Sequence, residues 1–232
     1  MSNSKTSDSP PGVGGKTLGL VHTSATLVPV FAELCSKYLR GVKTFNIVDD
    51  SLIKNTIARG ELTASTSKRV VNYAASAEEA GADYILFTCS SIGRAVETAA
   101  SLTSVPVLRV DQPMADQAVQ LGKRIGVIAT LPTTLEPTSD LVKRRAAAAG
   151  KEIVLVRTLC EGAFDALMSG DAATHDKKVG DALKQLSAEV DVIVLAQASM
   201  ARVVDTLSEI EKKVPILASP AIAIQYLATV LK

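Results

Sequence analysis

Cys89 stands where an apolar run ends and a helical pattern starts, in DYILFTCSSIGRAVET at 83–98. A thiol at such a junction meets the unpaired N–H groups and partial positive charge of a helix start. Those groups favour thiolate, and they can also hold a carboxylate or an enolate oxygen. One turn could therefore supply an acid or base and an oxyanion site together. Thr88, Ser90 and Ser91 flank the thiol as hydrogen-bonding hydroxyls, and Ser90 or Ser91 is also a natural N-cap. The segment recurs 108 residues later as DVIVLAQASMARVVDT at 191–206, with Gln197 in the place of the cysteine and Ala198 and Ser199 after it. A glutamine amide neither takes nor gives a proton near neutral pH, so any chemistry shared by the two segments is expected to be asymmetric.

Further polar candidates follow other apolar runs. His22 and Thr23 follow the first, and Asp49 follows the second, where it either caps a helix or steers a polar group of a ligand. Thr130, with Thr133 or Thr134, repeats the position of Thr23 to Thr26 in the later half of the chain. Cys35 sits inside a helical pattern and reads, like Cys160, as a small buried thiol. His175, in SGDAATHDKKVG, reads as structural or exposed.

Elements that would place these residues alternate along the chain. Strand candidates are 17–22, 44–49, 84–88, 105–110, 124–130, 152–157, 192–196 and 214–218, with helical patterns between most of them. One helical pattern, 61–81, ends at Gly81, a natural C-terminal stop. Several strands are apolar throughout, as strands covered on both faces should be. Six of the 16 aligned positions in 83–98 and 191–206 are identical. KTLGLVHT at 16–23 matches KRIGVIAT at 123–130, and VPVL at 105–108 matches VPIL at 214–217. Three blocks in one order indicate two homologous halves. The expected fold is α/β with two pseudo-symmetric lobes, each a four-stranded parallel sheet flanked by helices. Ligands of such sheets bind beyond the carboxyl ends of the strands, which puts the site in a cleft between the lobes.

Composition narrows the function classes. The 232 residues are 47% hydrophobic, and 25 Lys and Arg nearly balance 24 Asp and Glu. No strong field draws nucleic acid or an acidic membrane surface. Aromatics make up 3% with no Trp, which argues against base-stacking platforms. Three widely spaced cysteines form neither a disulfide framework nor a zinc motif, and they suit a reducing cytoplasm. Residues 1–15 read as a disordered tail, and no apolar run is long enough to span a membrane. GVGGKT at 12–17 has no strand before it and reads as linker rather than a phosphate loop.

These features together resemble the aspartate/glutamate racemase superfamily, which includes hydantoin racemase, maleate isomerase and arylmalonate decarboxylase. The resemblance covers nearly all of the chain after residue 15. It rests on the doubled lobe, on FTCSSIG and VLAQASM, and on the two first-strand turns GLVHTSATLVPVF and IGVIATLPTTLEPT. Its general style is nearest the hydantoin-racemase-like branch. The resemblance implies a site without cofactor or metal, in which two cysteines flank the substrate α-carbon while amides and hydroxyls hold a carboxylate. It also implies a homo-oligomer, and a last helix that crosses back to the first lobe. The lobes would then be 16–111 plus 219–232, and 112–218. Cys89 matches the first-lobe cysteine, whereas Gln197 departs from the second. Arylmalonate decarboxylase is similar in having one cysteine, though in the other lobe.

The activity this implies is a cofactor-independent isomerase or racemase acting on a small carboxylate or carbonyl compound. It would pass through a stabilised carbanion or enolate, with Cys89 as proton donor or acceptor. His22, Thr23, Asp49, Thr88, Ser90, Ser91, Thr130, Thr133, Gln197, Ala198 and Ser199 are the candidates for binding the substrate. The alternatives are a single-cysteine decarboxylase, a cis–trans isomerase that adds Cys89 covalently to its substrate, and a non-catalytic small-carboxylate binder.

Overall fold

A computed structural model of the chain describes residues 15–208 and 212–231. The segment read as a disordered tail lies outside the described residues except for Gly15, as does the start of GVGGKT. The first half runs β1 (Thr17–His22), α1 (Leu27–Tyr38), β2 (Lys43–Val48), α2 (Ser51–Arg59), α3 (Ala64–Glu79), β3 (Tyr84–Phe87), α4 (Gly93–Ala100) and β4 (Val107–Arg109). The second runs α5 (Gln112–Leu121), β5 (Arg124–Ala129), α6 (Pro132–Ala148), β6 (Val154–Leu159), α7 (Ala163–Met168), α8 (Ala172–Leu186), β7 (Val192–Leu195), α9 (Ala201–Thr206), β8 (Ile216–Ala218) and α10 (Ser219–Val230).

The strands form two parallel sheets of four, ordered β2-β1-β3-β4 and β6-β5-β7-β8. Each of the eight expected strands is present. β4 and β8 are shorter than expected because Pro106 and Pro215, which carry no N–H, stand just before them. Each proline still accepts through its carbonyl, Pro106 from Ile85 N and Pro215 from Ile193 N, both at 2.9 Å. β1 and β5 are buried along nearly their whole length, as central strands with helices on both faces must be. In α3, the Thr63 hydroxyl accepts from Thr66 N at 3.2 Å, and Gly81 takes the left-handed φ of +87° beyond the helix end.

The internal repeat has a structural reason at its first residue. Asp83 Oδ2 accepts from Thr17 N at 2.7 Å. Asp191 Oδ2 accepts from Lys123 N at 2.8 Å and Arg124 N at 2.7 Å. In both halves the repeated aspartate fastens the start of the central strand. Packing joins the halves as well. Ala223, Ile224, Leu227 and Leu231 share one apolar cluster with Leu18, Leu20 and Phe31, so α10 lies on the first sheet.

A chain of charges also crosses between the halves. Arg109 and Asp111 are fully buried and paired at 2.7 and 2.8 Å. Arg109 also donates to Glu97 at 2.5 Å, and Arg144 of α6 donates to Glu97 at 2.8 Å. Arg94 pairs with Asp140 at 3.1 Å. Burial alone would weaken the hold of Arg109 on its proton, but Asp111 and then Glu97 outweigh it and raise its pKa. Among the described residues, no helix is long and apolar enough to cross a membrane.

Candidate active site

The strand ends of the two sheets open into one cleft of about 240 Å³. Thr23, Thr88, Cys89, Ser90 and Ser91 line it from the first half, and Thr134, Gln197, Ala198 and Ser199 from the second. The turn after β3 positions Cys89. It is a single 3₁₀ turn, Ser90–Ile92, and α4 begins only at Gly93. Gly93 is required there. A Cβ at this position would fall 2.2 Å from the Arg109 guanidinium carbon, so only glycine lets α4 start against the buried arginine. Behind the thiol, Ser91 Oγ and Thr134 Oγ1 are hydrogen-bonded at 3.0 Å and buried, which ties this turn to the start of α6.

Cys89 itself is half-buried. Burial, the dominant effect, pushes its thiol pKa up. The Thr23 hydroxyl, the Ser91 and Ile92 backbone amides and the Ser91 hydroxyl near the sulfur offset this only in part. The expectation of an acidified thiol is thereby corrected. The Cys89 side chain makes no cap bond to the turn that follows it, one 3₁₀ turn carries far less of a helix-end field than a full helix, and desolvation wins. The N-cap expectation is corrected too. Neither serine caps by its side chain, since Ser91 is engaged with Thr134 and the residue in the cap position is Cys89, whose side chain makes no cap bond.

The second half repeats the arrangement with different atoms. Thr130 stands where Thr23 stands in the first half. Its backbone N–H and hydroxyl both donate to Gln197 Oε1, at 2.6 and 3.0 Å. Thr130 is not itself on the cleft wall; it holds the residue that is.

Besides Thr130, three expected site residues lie off the cleft wall. His22 is fully buried one layer behind the cleft, with Nδ1 2.9 Å from Thr88 Oγ1 and Nε2 2.9 Å from Asn46 Oδ1. Burial lowers its pKa, opposed by Asn46, so it braces Thr88 as a neutral imidazole. Asp49 binds the backbone and hydroxyl of Ser51, the Tyr73 hydroxyl and Arg69, so its oxygens are occupied by its own lobe. Thr133 lines a neighbouring cavity beside Arg94, Glu136 and Asp140, because the turn into α6 points Thr134 rather than Thr133 at the cleft.

Sequence reasoning missed Ile53, Phe164, Leu167 and Ser219 on the cleft wall. α7 follows β6 and Ser219 follows β8. The strand-end rule that found Cys89 would have found Phe164 and Ser219 had it been applied to those two strands. No group of three or more potential metal ligands occurs among the described residues.

The sequence profile of the family described as Asp/Glu/Hydantoin racemase matches residues 18–227. The chain belongs to the Asp/Glu/hydantoin racemase family. No curated protein matches it in sequence. Among solved structures, it is similar to the Picrophilus torridus aspartate racemase, with TM-score 0.70 and 16% identity over 93% of this chain and 95% of that one. It is also similar to allantoin racemase from Klebsiella pneumoniae, with TM-score 0.69 and 16% identity, covering 93% and 87%. Glutamate racemase from Aquifex pyrophilus gives TM-score 0.67 and 18% identity, covering 93% and 84%. At these identities the structures show a shared fold.

Proposed function

We propose that this member of the racemase family is a cofactor-independent isomerase or racemase-type enzyme for a small carboxylate or carbonyl compound. Cys89 is its proton donor and acceptor. The observation that carries this reading is the placement of Cys89: it is the one thiol on the cleft wall among the described residues, under the Ser91 and Ile92 amides. Cys35 and Cys160 are buried away from the cleft, and burial pushes both thiols up to about 11. A thiol whose pKa is raised rests protonated at neutral pH. It is suited to deliver a proton to a carbanion, and as thiolate it is a strong base toward an activated C–H bond. The same amides would hold the enolate oxygen that forms when that bond breaks. Family membership supports the reaction type, and the uncharged, hydroxyl-rich wall supports a small organic substrate.

A second reading, a single-cysteine decarboxylase, is favoured by one observation: Gln197 lines the cleft where a second proton-carrying thiol would serve racemisation. Incubation in D₂O with hydantoins, malonates, amino acids and maleate, followed by NMR, separates the two. Deuterium at an intact substrate carbon supports isomerase-type proton transfer. Release of CO₂ supports the lyase. Neither reaction across the panel, or either persisting at full rate in Cys89→Ala, would overturn the role of Cys89.

A further inference from the structure

The two halves meet along two seams beside the cleft, and the internal repeat makes these seams counterparts. At one, a cavity of about 390 Å³ is walled by Ser91 and Arg94 of the first half and by Thr133, Pro137 and Asp140 of the second. At the other, a groove of about 420 Å³ is walled by Ser199 of the second half and by Thr26, Val30 and Glu33 of the first. Ser91 and Arg94 repeat as Ser199 and Arg202. The 107-residue offset between β1 and β5 sets Thr26, Val30 and Glu33 on Thr133, Pro137 and Asp140. Burial agrees with that register: Phe31 and Cys35 of α1 fall on Thr138 and Val142 of α6, all four buried.

The seams are held differently. Arg94 crosses the first to Asp140 at 3.1 Å. Ser91, the residue that this cavity shares with the cleft, is bonded to Thr134. Arg202 does not cross the second. Its guanidinium donates to Asp176 of α8, in its own half, at 2.7 Å. Glu33 stands exposed, with no ion pair among the described residues. One charge accounts for the difference. Counted from the capping residues Thr63 and Asp171, which start α3 and α8, the place of Asp176 is taken in the first half by Lys68. Lys68 offers Arg94 no acid, so that arginine reaches across, whereas Asp176 keeps Arg202 within its own half. The groove left open adjoins the cleft, sharing Thr26, Leu27, Ala198 and Ser199 with it.

We infer that this groove is the mouth of the active cleft and that Arg202 is its latch, turning from Asp176 to Glu33 as the halves close on a ligand. Closed, the second seam gains the ion pair that the first already has. The two carboxylates compete for one guanidinium: the mouth is open while Asp176 holds it and shut while Glu33 does. Arg202 and Asp176 are both partly exposed, so the balance is small enough for a bound ligand to reverse. The inference rests on the reading of the cleft as the active site, and not on which reaction takes place there.

The test measures access to Cys89 in the full-length protein, with iodoacetamide as a small probe and fluorescein-5-maleimide as a large one. Both need the thiolate, so the ratio of their rates reads the width of the mouth and not the acidity of the thiol. Asp176→Asn keeps an oxygen for His175 Nδ1, which lies 2.7 Å from Asp176 Oδ1, but gives up the charge that holds Arg202. The large-to-small ratio should fall about fivefold, and adding Glu33→Gln should restore it. Ala221→Trp, which fills the groove, should also lower the ratio, whereas Glu136→Trp in the cavity of the first seam should not. An unchanged ratio in Asp176→Asn, a fall that persists after Glu33→Gln, or equal effects of the two tryptophans overturns the inference. None of these reads turnover, so each leaves Cys89 in its proposed role. Failure of both reagents to label Cys89 in the unaltered protein, even at pH 9, instead overturns the active-site reading beneath it.

Discussion

At the scale of single residues, the balance of forces on Cys89 decides how it can act. Two amides and two hydroxyls stabilise its thiolate, and burial opposes them with greater effect. The reactive form of the thiol should therefore grow in above the ordinary range of about 8.5. Iodoacetamide labelling of Cys89, followed by peptide mass spectrometry, should accelerate with pH and still be rising at pH 9. Cys35 and Cys160 should stay unlabelled in the folded protein throughout. Replacing the sulfur by oxygen keeps the shape of the site but removes an exchangeable proton of usable acidity. Cys89→Ser should lower turnover by about 10²–10⁴-fold with no change in melting temperature; turnover within a few-fold of the unaltered protein would refute the assignment.

At the scale of elements, the site depends on how α4 begins. The 3₁₀ turn, Gly93 and Arg109 form one packed unit, because the guanidinium lies against the place where a Cβ would stand. Arg109 cannot retreat without leaving Asp111, a buried carboxylate with no exposure of its own. Gly93→Ala should thus destabilise by about 1–3 kcal/mol through overpacking, read as a lower urea midpoint. Because the turn carrying Ser90 and Ser91 precedes Gly93, activity should fall further than the loss of stability alone explains, when assayed well below the melting temperature.

At the scale of the whole molecule, Glu97 connects the two halves by accepting from Arg109 on one side and Arg144 on the other. Burial raises its pKa, but Arg144 and Arg109 together hold its carboxyl below the usual range. Asp49 is likewise held low against burial by Ser51, Tyr73 and Arg69. A carboxylate whose folded pKa lies below its unfolded value of about 4 contributes stability that is complete above that value. The contribution is lost as pH falls through the lower, folded pKa. The protein should therefore weaken on acidification below about pH 4–5. Glu97→Gln should already be weaker at pH 7, and its urea midpoint should fall less between pH 7 and pH 4 than that of the unaltered chain. Equal acid dependence in the two proteins would remove Glu97 from this role.

Much of the molecule was legible in the sequence because local rules decided it. Apolar runs of β-branched residues specified eight strands, and the repeat of Asp83 at Asp191 and of VPVL at VPIL specified two halves of one design. The place of Cys89 beyond β3 followed from the same pattern. Tertiary structure alone decided which strand-end residues share a cavity. Thr134 faces the cleft and Thr133 its neighbour because the register of α6 against the turn at Ser91 sets their directions, and sequence spacing does not reveal that register. The resting protonation of Cys89 also had to await the structure. Helix position can be read from the chain, but desolvation is a sum over everything packed around the sulfur, most of it distant in sequence. Gln197 shows both sides of this: the sequence gives the missing thiol, and only the fold, through Thr130, fixes which way its amide points.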